Sequence, residues 1–251
     1  MFVKRWFLLG ILLLCGCHSV SIPDTFSYRH FKAGEFTLAG WQKELSPHDF
    51  VKIYIEGDGA AFDAYGQPTS DPTPRGILMR EIAFGDSHDN VLYLARPCQF
   101  VRDEKCLQKY WTTARFAPEV VEAMSRVISK VSHGRPVVLV GFSGGAQIAG
   151  LVAVLHPNLK VRQIITIGGN LDHSAWTAYH HLPALTQSLN LADYKEAFQK
   201  IRQTHYVGEK DDIIPPFLIR EFAAQETIVD VKGAQHSQGW DAIYPFVRFA
   251  D

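Results

Sequence analysis

Residues 137–145 read VVLVGFSGG, an apolar run that breaks into Gly141-Phe142-Ser143-Gly144-Gly145. Val137, Val138, Leu139 and Val140 are all branched aliphatics, the composition of a strand buried on both faces. Residues 144–156 then place Ile148, Leu151, Val152 and Leu155 at helical spacing and stop at Pro157. A strand that passes into a helix through so few residues must turn sharply. A side chain at 141 or 145 would collide with neighbouring backbone there, which accounts for glycine at both positions. The turn pushes the Ser143 hydroxyl out above the sheet edge, beside the positive end of a helix.

The same rhythm continues on either side. Upstream, 36–41 alternates weakly and reads as an early antiparallel strand. Residues 50–56 (FVKIYIE) read as a strand that ends at Gly57-Asp58-Gly59. A Gly-, Asp- and Pro-rich loop runs to Pro74 and a helix is expected over 75–84. A strand follows at 90–95 and a helix at 117–132, where Val120, Val121, Met124, Val127, Ile128 and Val131 keep helical spacing. Downstream, strands are expected at 161–167, 204–207 and 227–231, with helices at 216–224 and 238–249. Residues 170–200 break this alternation and read as an inserted cap over one end of the sheet. Strands alternating with helices through short loops predict a mostly parallel sheet with helices on both faces.

The chain has 251 residues, 47% apolar and 20% charged, enough for one well-buried α/β domain. The formal net charge is −1 and there is no basic run, which argues against a nucleic-acid partner. No His, Cys or carboxylate grouping shows metal-ligand spacing, so no metal and no cofactor is expected.

Residues 1–16 read as a leader rather than as part of the fold. Lys4-Arg5 supplies a positive start and 6–14 an apolar stretch too short to span a bilayer. The following Leu14-Cys15-Gly16-Cys17 resembles the bacterial lipobox, which implies cleavage after Gly16 and a lipid thioether on Cys17. A plain secretory leader cut nearby is the alternative. The resemblance implies anchoring in the cell envelope, and His18 rather than Asp after the lipid site implies the outer membrane facing the periplasm. Residues 17–33 would then be a tether and 34–251 the domain. In an exported chain the two remaining cysteines, Cys98 and Cys106, suggest a short-loop disulfide, with two free buried thiols as the alternative.

Serine alone is a poor nucleophile and needs a base, which needs a group to orient it. Asp211 lies three residues past Gly208 at the end of one expected strand, and His236 follows the last. The order Ser143, Asp211, His236, with Ser143 in a G-x-S-x-G nucleophile elbow, resembles the α/β-hydrolase family. Gly208-Glu209-Lys210-Asp211-Asp212-Ile213-Ile214-Pro215 resembles that family's acid turn. The blocks LARPCQF, YWTTARF and GNLDHSAWT resemble a subgroup of envelope members without a named substrate.

The resemblance implies an α/β-hydrolase fold with a small cap, a Ser143–His236–Asp211 triad and an oxyanion hole of two backbone N–H groups. One donor would be Gly144. The other falls in Glu56-Gly57-Asp58-Gly59 and lies between Gly57 and Asp58, with Asp58 preferred provided its carboxylate points away. Asp212 competes with Asp211, and His173, His180, His181 and His205 compete with His236. Phe142 and Trp176, with Trp111 and Tyr179, are candidates for the substrate pocket. Asp172 is either a substrate contact or a helix N-cap. The function expected is hydrolysis of small-molecule or lipid carboxylic esters by a membrane-anchored enzyme. A peptidase and a non-catalytic binding lipoprotein on the same scaffold are the alternatives.

Overall fold

The structure, a computed structural model, describes residues 21–248. The leader over 1–16 and Cys17 lie outside the described residues. The chain enters as an antiparallel pair, β1 (Ser27–Ala33) and β2 (Phe36–Glu44). β3 (Val51–Ile55), α1 (Leu78–Phe84) and β4 (Asn90–Leu94) follow. Then come α2 (Pro118–Ser132), β5 (Val137–Phe142) and α3 (Gly144–Leu155). β6 (Val161–Ile167), α4 (His173–Tyr179) and α5 (Lys195–Phe198) lead to β7 (Gln203–Gly208). α6 (Pro216–Phe222), β8 (Ile228–Val231) and α7 (Tyr244–Arg248) complete it.

The strands form one sheet in the order β1-β2-β4-β3-β5-β6-β7-β8. β2 runs antiparallel to both β1 and β4, and every pair from β4 to β8 is parallel. Side-chain alternation sorts the core into two layers. Val137 and Leu139 of β5 pack with Val51, Ile53 and Ile55 against α2 and α3. Val138 and Val140 face the other way, with Tyr54, Tyr93, Met79, Ile82 and the C-terminal Trp240 and Val247. A sheet buried on both faces explains why its central strands carry unbroken apolar runs. Parallel strands also bring the loops after β3, β5, β6, β7 and β8 to one rim, where the site forms.

Three expectations change. Residues 27–33, read as tether, are β1, whose register with β2 runs from Ser27–Gln42 to Ala33–Phe36. Most of its side chains are exposed, so it shows no apolar periodicity, and its backbone ladder holds it instead. The last helix is shorter than 238–249: Gly239, at φ +80, breaks the backbone, and a single turn (Asp241–Ile243) precedes α7. The 170–200 segment divides. Near its start lies α4 (His173–Tyr179), while Leu185, Leu191 and Phe198 of the remainder are buried in the main core.

Cys98 and Cys106 form a disulfide with Cα atoms 5.4 Å apart. It closes the loop after β4. No helix among the described residues is long and apolar enough to cross a membrane.

Candidate active site

β5 delivers Ser143 at φ +51 and ψ −123, a conformation a non-glycine residue adopts only under strain of roughly 1–3 kcal/mol. The turn is over-determined by its surroundings. Ser143 N donates to Ile167 O at 3.2 Å, and Asn170 N donates to Ser143 O at 3.0 Å. A Cβ on Gly141 would lie 2.6 Å from the Ala146 backbone, and one on Gly145 would overlap the carbonyl oxygen of Ile55. Both glycines are therefore demanded by close backbone approach, as the spacing argued.

His236 Nε2 lies 3.0 Å from Ser143 Oγ, and His236 Nδ1 lies 2.9 Å from Asp211 Oδ2. The Asp211 side chain is fully buried. Its other oxygen accepts the N–H groups of Ile213 and Ile214 at 3.0 and 2.8 Å, which pins the carboxylate in the acid turn. Trp240 Nε1 donates to His236 O at 3.0 Å and holds the histidine loop from behind. Asp212 is exposed. Of the two neighbouring carboxylates, only Asp211 meets the imidazole.

The other histidines are engaged elsewhere. His205 is buried in β7, its nitrogens 2.8 Å from Thr166 Oγ1 and 2.9 Å from Gln203 Oε1, and burial lowers its pKa to about 4. His173 is buried and stacks on Phe116, and burial lowers its pKa too. His180 Nε2 lies 2.9 Å from Ile213 O. His181 stands at φ +53 after α4. Asp172 is the N-cap of α4, accepting from Ser174 N and Ala175 N.

Of the two candidate N–H groups, that of Gly57 is engaged within the protein. Gly57 N donates to Glu56 Oε1 at 2.9 Å and is not available to a substrate. The N–H groups of Asp58 and Gly144 have no acceptor among the described residues. Glu56 itself is buried, which raises its carboxyl pKa, and it takes the Tyr93 hydroxyl at 2.6 Å.

The Asp58 carboxylate lies beside Gly144. Its Oδ1 sits against Gly144, where an added Cβ would overlap it. Arg96 Nη1 binds Oδ1 at 2.8 Å and Arg115 Nη1 binds Oδ2 at 2.6 Å. Burial works to raise the Asp58 pKa, but the two guanidinium groups outweigh it and hold the carboxyl below its ordinary value. Neither arginine stands out by spacing. The only signal was that each lies in one of the blocks LARPCQF and YWTTARF.

Phe142 is half-buried with its ring 4.9 Å from that of His236, at the mouth of the site. Trp176 donates its indole N–H to Ile213 O at 2.7 Å, so its polar edge buttresses the acid turn. Trp111 is buried in the core and Tyr179 is half-exposed. Among the described residues no cluster of three His, Cys, Asp or Glu could hold a metal ion. An open charged depression of about 300 Å³ near the β1–β2 turn, lined by Lys32, Glu35, Asp103 and Lys105, shares no residue with this site.

This sheet order, with an elbow after β5, defines the α/β-hydrolase fold, and the chain is built on that hydrolase scaffold. No protein-family model and no curated protein sequence matches it. Solved structures do. One from Acinetobacter baumannii, described as a candidate lipase, superposes with a TM-score of 0.61 at 12% identity, over 90% of this chain and 89% of that one. The thioesterase domain from the curacin biosynthetic pathway gives 0.60 at 14% identity, over 89% and 99%. Est1E from Butyrivibrio proteoclasticus gives 0.56 at 11% identity, over 88% and 96%. At such identities the likeness is one of fold.

Proposed function

We propose that this protein is a serine hydrolase of carboxylic esters, an esterase, lipase or thioesterase. The observation that carries the reading is the unbroken chain Ser143 Oγ, His236, Asp211, with links of 3.0 and 2.9 Å. His236 takes the proton from Ser143 Oγ as the oxygen attacks the ester carbonyl. Asp211 fixes the imidazole tautomer and stabilises its cation. The N–H groups of Asp58 and Gly144 receive the carbonyl oxygen as it becomes an oxyanion. The tetrahedral intermediate collapses, His236 returns the proton to the departing alcohol or thiol, and an acyl-Ser143 remains. Water, deprotonated by His236, then releases the acid and restores the hydroxyl. The candidate lipase and the thioesterase domain among the similar structures support an acyl-transfer chemistry on this scaffold.

A fluorophosphonate probe should label the wild-type protein at Ser143, and Ser143→Ala should lose both the label and hydrolysis of p-nitrophenyl esters, roughly 10⁴-fold or more in kcat. A folded wild-type protein that resists the probe, or that prefers matched amides over esters, overturns the reading. We also propose that Cys17 carries a lipid that holds the enzyme at the outer membrane facing the periplasm. Two or more acyl chains suffice for stable anchoring, at about 0.8 kcal/mol per buried CH₂. Cys17→Ser should move the protein from the membrane fraction to the soluble one. Retention of that variant in the membrane argues against the anchor.

A further inference from the structure

An aspartate beside an oxyanion hole is an awkward choice. Negative charge grows on the substrate oxygen, and a carboxylate nearby opposes it. Asp58 nevertheless supplies one of the two free N–H groups, and its Oδ1 lies against Gly144, which supplies the other. The carboxylate is held by one guanidinium on each oxygen, Arg96 at 2.8 Å and Arg115 at 2.6 Å. These arginines are themselves fixed. Their side chains are 5% and 6% exposed, against 24% for Asp58. Arg96 Nη2 donates to Arg115 O, and Arg115 Nε donates to Thr112 O at 2.7 Å. Arg96 lies 4.9 Å over the ring of Phe116 and Arg115 5.4 Å over that of Phe62. Next along the chain, Gln99 grips the loop, taking Arg96 N at 2.9 Å and donating to Gly57 O at 3.0 Å.

We propose that Arg96 and Arg115 are positioning residues of the oxyanion hole. They clamp the Asp58 carboxylate so that its N–H stays aimed beside that of Gly144, and they turn the local charge from repulsive to attractive for an oxyanion. One carboxylate and two guanidiniums leave a formal excess of one positive charge. Arginine suits the task because its planar fork binds a carboxylate oxygen and a carbonyl oxygen at once, which a lysine ammonium does with less definition. The inference rests on the serine-hydrolase reading above.

The test is a double-mutant cycle on hydrolysis of p-nitrophenyl butyrate, with folding checked by near-UV circular dichroism. Arg115→Gln removes the excess positive charge, leaving one guanidinium against one carboxylate, and its kcat should fall about 10- to 100-fold with KM changed by less than about threefold. Adding Asp58→Asn removes the offending charge but keeps the backbone N–H, so the double variant should recover at least about fivefold of that loss. A merely structural ion pair would be rescued in stability, not in the kcat of protein already shown to be folded. Arg115→Gln within about twofold of wild type, or a double variant no faster than Arg115→Gln, overturns the proposal. If Arg115→Gln does not fold, Arg115→Lys decides: it keeps the charge but loses the fork, so kcat should fall by less than about tenfold, whereas a loss of about tenfold or more overturns the proposal. Failure of the underlying reading looks different, since the wild-type protein then takes no fluorophosphonate label.

Discussion

Ser143 sits where no relaxed serine would, and the strain is borne by neighbours that leave it no room to relax. Gly145 has the closest backbone approach of these. A methyl group there would overlap the carbonyl oxygen of Ile55 and lie 2.7 Å from that of Glu56, both backbone atoms at the strand end that leads into Gly57 and Asp58. Gly145→Ala should therefore cost about 3 kcal/mol of stability, and any folded fraction should hydrolyse esters poorly because Asp58 has moved. Gly76 is the control: nothing lies within 4 Å of its notional Cβ, so Gly76→Ala should stay within about 1 kcal/mol of wild type. Urea midpoints of the two variants measure this. Equal midpoints would show that the close approach at 145 is easily relieved.

Among the elements, the segment after β6 behaves as two pieces. α4 is tied to the acid turn, with Trp176 and His180 both meeting the carbonyl oxygen of Ile213. Its start is tied to Asn190, which accepts His173 N at 3.2 Å and donates to Asp172 at 2.7 Å. The second piece is core. Leu191 is fully buried against α3, and a Cβ on Gly150 would overlap its side chain, which is why a glycine interrupts that helix. Leu191→Ala should lower stability by about 2–5 kcal/mol in urea unfolding. A loosely held lid would make the opposite prediction, an unchanged midpoint with an altered KM.

For the whole molecule, burial of neutral histidine couples stability to pH. The pKa of His205 is about 4 in the fold, against 6.5 as the ordinary value, because β7 buries it. Below pH 6.5 the unfolded chain binds a proton that the folded chain refuses, so this part of the stability is complete above 6.5 and lost as pH falls toward 4. Between pH 7 and 5 His205 alone should remove about 2 kcal/mol, read as a lower urea midpoint. His173, also lowered by burial, adds to the loss. Glu56, raised by burial, works against it, because it gains a proton in the fold above its ordinary value. His205→Gln isolates the effect. It should flatten the pH dependence by about the same 2 kcal/mol, and an unaltered slope would assign the effect to other groups.

The amino-acid sequence alone determined the sheet–turn–helix core, because buried parallel strands must be apolar throughout and a tight elbow must be glycine-flanked. It also determined the order of Ser143, Asp211 and His236, since each stands in a local pattern at a strand end. It left Gly57 and Asp58 open, and in the fold the Gly57 N–H is taken up by the Glu56 side chain. Tertiary structure alone decided the rest. β1 is an exposed edge strand whose stability lies in backbone pairing, which leaves little trace in side-chain pattern. Arg96 and Arg115 meet Asp58 across 38 and 57 residues of chain, and only the folded sheet brings such charges together. The packing of Leu191 onto Gly150 is likewise a contact between distant elements, and no local periodicity encodes which helix will receive a given side chain.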